Sequence, residues 1–199
     1  MRFLQKATVL VIATAFLPFL AQAAPITYQA ILSGPAEAPP NNSPGTGSTR
    51  VTIDTDASTL TVGFEFADLI GTTIAAHIHA PTEIPFEGTA SVLTMTPTFE
   101  DTPLGVTSGS YGPRTFDLTL AASYNQTRLA EENLTPEQAE LLLANSLAEG
   151  RAYLNIHSTE FPGGEIRGFL TPIPLPAALP LLIAGLLALG WTAAPRRAA

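Results

Sequence analysis

"AYLNIHSTEFPGGEIRGFL", residues 152–170, holds two short alternating runs on either side of a Phe-Pro-Gly-Gly turn. Side chains alternate across a β-strand. In the first run Ala152, Leu154 and Ile156 therefore share one face, and Tyr153, Asn155 and His157 share the other. Pro162 and Gly163 suit the two central positions of a type II turn. In the second run Glu165 and Arg167 fall on one face, two residues apart, as a surface ion pair or a hydrogen-bond brace across a sheet. A strand, a tight turn and a second strand set an antiparallel β expectation for the whole domain.

The rest of the chain agrees. Residues 26–32, 49–55, 59–69, 73–79, 89–95 and 114–120 are rich in β-branched or aromatic residues and bounded by Gly, Pro, Asn and Asp, so they too read as strands. "DTDAST" (54–59) is a hairpin turn of residues whose side chains bond their own backbone. Asp54 and Asp56 there lack the spacing of a calcium loop and read as solvated turn residues. One helix interrupts the strands. Thr135 is its N-cap, Pro136 its first residue and Gln138 the partner in a capping box; Ala139, Leu142, Leu143 and Leu147 form its apolar face and Gly150 ends it. The expected fold is mostly β, an antiparallel β-sandwich with one covering α-helix.

Two apolar ends flank this domain. Residues 1–23 read as a signal peptide: Arg2 and Lys6 precede an apolar stretch, and Ala21-Gln22-Ala23 offers the small residues of a cleavage site. From Ala177 to Ala194 no residue is charged. As a helix that run spans about 27 Å, close to the hydrocarbon thickness of a bilayer. Trp191 suits the interface, and Arg196 and Arg197 would stay on the cytoplasmic side, leaving the domain outside. The expected organisation is a signal peptide at 1–23, an exported domain at 24–171, and a proline motif, transmembrane helix and basic tail at 172–199.

Composition narrows the function. All 17 acids lie between Glu37 and Glu165, against five arginines and no lysine in the same domain, a formal charge near −12. Such a body repels phosphate backbones, so nucleic acid is not an expected partner. With no cysteine, the chain has no disulfides, thiolate metal sites or cysteine nucleophile. Gly-x-Ser-x-Gly, phosphate-loop and His-Glu-x-x-His motifs are also missing from it.

The three histidines are the chemical feature. In "TIAAHIHA" (73–80) the His-x-His spacing puts His77 and His79 on one face, away from Ile74, Ala76 and Ile78, just as His157 lies away from Leu154 and Ile156. Two readings stand. Three imidazoles can hold a divalent ion, copper or zinc, with water or a carboxylate such as Glu83 or Glu165 in the fourth position. Alternatively the histidines hydrogen-bond turns, His157 and Asn155 pinning the Phe-Pro-Gly-Gly loop. The strands' adjacency decides between them.

Two resemblances add to this. "IPLPAALPLLIAGLLALGW" followed by paired arginines resembles sorting tails of the PEP-CTERM type, with Pro174, Leu175, Pro176 and Ala177 in the place of the usual proline motif. That resemblance implies a Gram-negative-type envelope, processing by an exosortase-type membrane transpeptidase, and a surface fate associated with exopolysaccharide. The exported part resembles the CHRD (chordin-type) domain. The likeness rests on "AILSGPAEAPPNNSPGTGSTRVTID", on "AHIHAP", and on the closing stretch with Tyr153, Asn155, His157, Phe161, Pro162, Gly163, Gly164, Glu165, Arg167 and Gly168. It implies a β-rich extracellular module without an established catalytic activity. The acidic sandwich is expected to work through contacts with polysaccharide, surface proteins or cations. The expectation is a non-catalytic module; the alternative is a histidine-ligated copper or zinc protein, with copper redox chemistry as its enzymatic extreme.

Overall fold

The computed structural model describes residues 24–174. Eight strands make up one antiparallel sheet: β1 (Ile26–Ser33), β2 (Thr46–Asp54), β3 (Thr59–Ala67), β4 (Thr73–His79), β5 (Gly109–Asp117), β6 (Tyr153–Ser158), β7 (Ile166–Phe169) and β8 (Thr171–Pro172). Their order is β4-β6-β7-β1-β2-β3-β5, with β8 also beside β1. The expected sandwich is therefore a single curled sheet rather than two sheets. β1 is the reason: it pairs with β2 along its whole length and with β7 and β8 on its other side, which joins the two halves. Gly168 permits the β1–β7 approach, because a Cβ there would collide with the Ile31 carbonyl.

One face of the curl makes the core. Tyr28, Leu32, Val51, Leu60, Val62, Phe64, Ile78, Leu154 and Ile156 are all buried there. The two ends of the sheet meet through residues 91–107, which run along the free edge of β4 before entering β5. Leu93 N donates to Ile78 O (3.0 Å), Phe99 N to Ala76 O (3.0 Å) and Gly105 N to Thr73 O (2.8 Å). The Phe99 ring then packs on Tyr111 and Phe116 of β5, with centroids 6.1 and 5.4 Å away. The strand expected at 89–95 is not formed, and only isolated bridges at Val92 and Thr94 remain. Thr94 and Thr98 use their side-chain hydroxyls to accept from Ile78 N and Ala76 N, which displaces the regular ladder.

The helix forms as expected: α2 (Pro136–Ala148) has Thr135 and Gln138 in a reciprocal capping box, and Ala139, Leu143 and Leu147 are buried. A shorter α1 (Gln126–Glu131), capped by the Asn125 side chain, precedes it and was not anticipated. Asp54 shapes the β2–β3 turn by accepting from Asp56 N and Ala57 N. Among the described residues no helix is long and apolar enough to cross a membrane. The expected signal peptide, the span at 177–194, and Leu175, Pro176 and Ala177 of the sorting motif lie outside the described residues; Pro174 is the last within them.

The assignment of faces is testable. Leu154 is fully buried whereas Ile31, on the opposite face of the sheet, is 76% exposed. Leu154→Ala is expected to cost about 3 kcal/mol and Ile31→Ala less than about 0.5 kcal/mol in urea denaturation. Equal costs would show that the core face is wrongly assigned.

Candidate metal centre

Strand β6 is buried on both faces. Leu154 and Ile156 enter the core, while Tyr153, Asn155 and His157 lie on the opposite face under loops. The β4–β6 register sets His77 opposite Asn155, His79 opposite Tyr153 and Ala75 opposite His157. The two strands are thus neighbours, and the three histidines meet on the face away from the core. His77, His79 and His157 form a cluster whose candidate ligand atoms all lie within 4.8 Å of one another. Each is only 7–8% exposed.

Hydrogen bonding orients the rings. His79 Nδ1 donates to Ala90 O (2.8 Å) and His157 Nδ1 donates to Pro162 O (2.9 Å). Each of these imidazoles therefore carries its proton on Nδ1 and leaves a bare lone pair on Nε2. His157 Nε2 lies 2.9 Å from His77 Nε2 and 3.4 Å from His79 Nε2. His77 can give an Nε2 proton to His157, but its Nδ1 is then a buried acceptor with no partner. With the proton on Nδ1 instead, a position that the nearby Pro97 carbonyl favours without forming a well-aligned bond, all three Nε2 lone pairs face one another. In neither arrangement do neutral imidazoles satisfy every nitrogen. A cation at the centre takes all three Nε2 lone pairs and leaves only His77 Nδ1 without a well-aligned partner. Two nitrogens bound at 2.0–2.1 Å to one ion at tetrahedral or wider angles stand about 3.3–3.6 Å apart, so the 3.4 Å pair already fits and the 2.9 Å pair needs a shift of a few tenths of an ångström. Backbone carbonyls that fix the tautomer and aim of ligating imidazoles are the usual second layer of a metal site.

Burial keeps the rings neutral. It holds His77 down to about 2, helped by the charges His157 and His79 would carry. It holds His79 down to about 4 against the Ala90 hydrogen bond, with the charges on His157, Arg167 and Arg128 adding to the effect. His157 is also lowered by burial, which outweighs its bond to Pro162.

Neither carboxylate considered for the fourth position joins the cluster. Glu83 is exposed. Glu165, fully buried, accepts from Ser43 Oγ (2.6 Å), Ile70 N (2.5 Å) and Gly71 N (3.2 Å). Burial would raise its pKa, yet bonds from Ser158, Ser43, Ile70 and Gly71 bring it below the ordinary value. Arg167 donates to Ala36 O (2.5 Å) and Gly88 O (3.0 Å), and its guanidinium lies 4.7 Å from the centre of the Tyr153 ring. Glu165 and Arg167 do not pair with each other: each braces loops across the sheet. The turn after β6 closes through Gly164 N to Phe161 O (3.0 Å). It is not the type II turn expected, since the positive φ falls on Gly164 (+130°) rather than Gly163. At Gly164 a Cβ would meet Asn155 and Glu37, so glycine is needed there.

Three participants escaped the sequence reading. Tyr153 stacks on His79 with centroids 4.8 Å apart and 6° between planes, and its hydroxyl accepts from Ala90 N. It was on the same strand face as His157, which was the available signal. Glu37 is buried beside Arg167 (3.8 Å), with burial raising its carboxyl to about 7 against the opposing charge of Arg167. Arg128, from α1, donates to Ala80 O and Ser91 O. Glu37 lies in the opening stretch that carries the CHRD likeness, but no role was read for it there; nothing local marked Arg128.

Residues 28–170 match the CHRD domain family, and the chain belongs to it. Among curated proteins and among solved structures no match was found.

Two outcomes follow for the metal-free protein. The unfolded chain protonates its histidines below about pH 6.5, whereas His77 and His79 in the fold stay neutral until about 2 and 4, so the unfolded state binds more protons as pH falls. Each then removes about 1.4 kcal/mol of stability per pH unit. Glu37 acts oppositely between its folded value of about 7 and its ordinary 4.5, because there the folded state holds the extra proton. Net stability should fall from pH 6.5 to 4.5, and the triple variant His77→Ala, His79→Ala, His157→Ala should lose that fall; the same slope in both would show that other groups cause it. Second, Glu165→Gln should cost roughly 2–3 kcal/mol, since a buried charged acceptor is lost, while leaving metal uptake unchanged. Loss of uptake in a folded Glu165→Gln protein would make Glu165 a ligand after all.

Proposed function

We propose that this CHRD domain is an exported, non-catalytic binding module whose histidine pocket holds one copper or zinc ion. The observation that carries the reading is the convergence of His77, His79 and His157 through Nε2, with the Nδ1 atoms of His79 and His157 committed to backbone carbonyls. Residues that merely braced turns would need those Nδ1 bonds but not the meeting of the opposite nitrogens. The signal peptide and the sorting motif at Pro174, Leu175, Pro176 and Ala177 support delivery to the envelope. In this reading the domain is first anchored outside the inner membrane. An exosortase-type enzyme then cuts the tail, and the domain reaches the cell surface or matrix, in contact with exopolysaccharide or surface proteins.

The test is metal content of the purified protein by mass spectrometry, with copper and zinc titrations repeated on His77→Ala, His79→Ala, His157→Ala. One ion per chain, bound at least a hundredfold more tightly than by the folded variant, is expected. A metal-free protein whose titration superimposes on that of the variant would return all three histidines to a bracing role.

A further inference from the structure

The proposed site has an electrostatic character that selects among metals. Among the described residues no carboxylate belongs to the cluster. The nearest buried acids are committed elsewhere, Glu165 to Ser43, Ile70 and Gly71, and Glu37 to Arg167. Two guanidiniums act on His79, those of Arg167 and Arg128. Arg128 Nη1 donates to the carbonyl of Ala80, the residue after His79, at 2.5 Å, and it pairs with Glu132, which is 46% exposed. The Arg167 guanidinium lies 4.7 Å from the centre of the Tyr153 ring, the same ring that stacks on His79. All three ligands are neutral imidazoles with 7–8% exposure.

An ion in this pocket keeps its full charge under low-dielectric surroundings. The solvation cost of burying a charge grows with its square, so a divalent ion meets about four times the penalty of a monovalent one. Repulsion from the guanidiniums doubles with it. Coordination number admits both ions: three neutral nitrogens suffice for trigonal copper(I), and they also hold zinc where water takes a fourth position. The charge terms are what separate the two. Resting on the metal reading above, we propose that the site is matched to monovalent copper, Cu(I), and disfavours Zn(II).

The experiment is an anaerobic competition of the full-length protein against chromophoric chelators, for Cu(I) and separately for Zn(II). The triple histidine variant sets the background, and Arg128→Gln and Arg128→Lys probe the charge. Cu(I) should bind at least about a thousandfold more tightly than Zn(II), a gap that the charge penalty produces. In Arg128→Gln the gap should narrow by roughly tenfold, because the divalent ion gains twice as much from losing a positive neighbour, whereas Arg128→Lys should keep it. Circular dichroism confirms that the variants remain folded. Zn(II) binding as tight as Cu(I) overturns this inference and leaves the metal site standing. Binding of neither ion overturns the site itself. A gap that does not move in folded Arg128→Gln overturns the charge argument.

Discussion

The structure depends on burying both faces of β6. A strand with Leu154 and Ile156 on one side and Tyr153, Asn155 and His157 on the other can form the usual half-solvated strand of an antiparallel sheet, with its polar side wet. Here all six residues from Tyr153 to Ser158 are buried. The polar face therefore needs a roof, and every polar atom under that roof needs a partner. The long loops of the protein supply the roof and most of the partners, though His77 Nδ1 and Asn155 Oδ1 are left without one. Ala90 O and Pro162 O take the imidazole protons, and Ala36 O and Gly88 O take the Arg167 guanidinium. Irregular segments that would be unremarkable on a surface become second-layer structure.

Glu165 and Arg167 hold the roof in place from one hairpin strand. Two residues apart, they act on different loops: the carboxylate gathers the 43 and 70–71 segments, and the guanidinium gathers 36 and 88. Charge-assisted hydrogen bonds of this kind are stronger than neutral ones. Removing either charge leaves several buried backbone groups unpaired at once. The closing Phe-Pro-Gly-Gly-Glu-x-Arg stretch is thus a scaffold for the histidines rather than part of their ligand set.

Much of this was legible from alternation alone. Period two placed all three histidines off the aliphatic faces, and the capping box placed α2 at its observed start. What alternation cannot carry is adjacency. β4 and β6 are separated by more than 70 residues of sequence and pair only because β5 crosses to the far end of the sheet. Residues 89–95 have the composition of a strand, but Thr94 and Thr98 offer hydroxyls where a ladder would offer carbonyls, a choice set by the partner edge and not by the segment. The turn at Pro162 failed for a related reason. Gly163 and Gly164 can both take a positive φ, and the crowding at Gly164 comes from Asn155 on β6 and Glu37 in the β1–β2 loop, not from the turn itself. Glu37 and Arg128 join from distant segments with no periodic signal at all.

The charge distribution then acquires a physical meaning on two length scales. The domain carries 17 acids against five arginines, and most of the acids are on the surface. Such a field raises the local concentration of cations of either valence. Its reach is limited to about 8 Å at physiological ionic strength. Inside the pocket the balance differs: among the described residues no carboxylate joins the three imidazoles, and the guanidiniums of Arg167 and Arg128 act on His79. The surface therefore favours capture of any metal cation, while the interior penalises charge in proportion to its square. A pocket flanked by acids would hold divalent ions indiscriminately. On the proposed reading, an acidic surface around a pocket whose three ligands are neutral would separate attraction from selection.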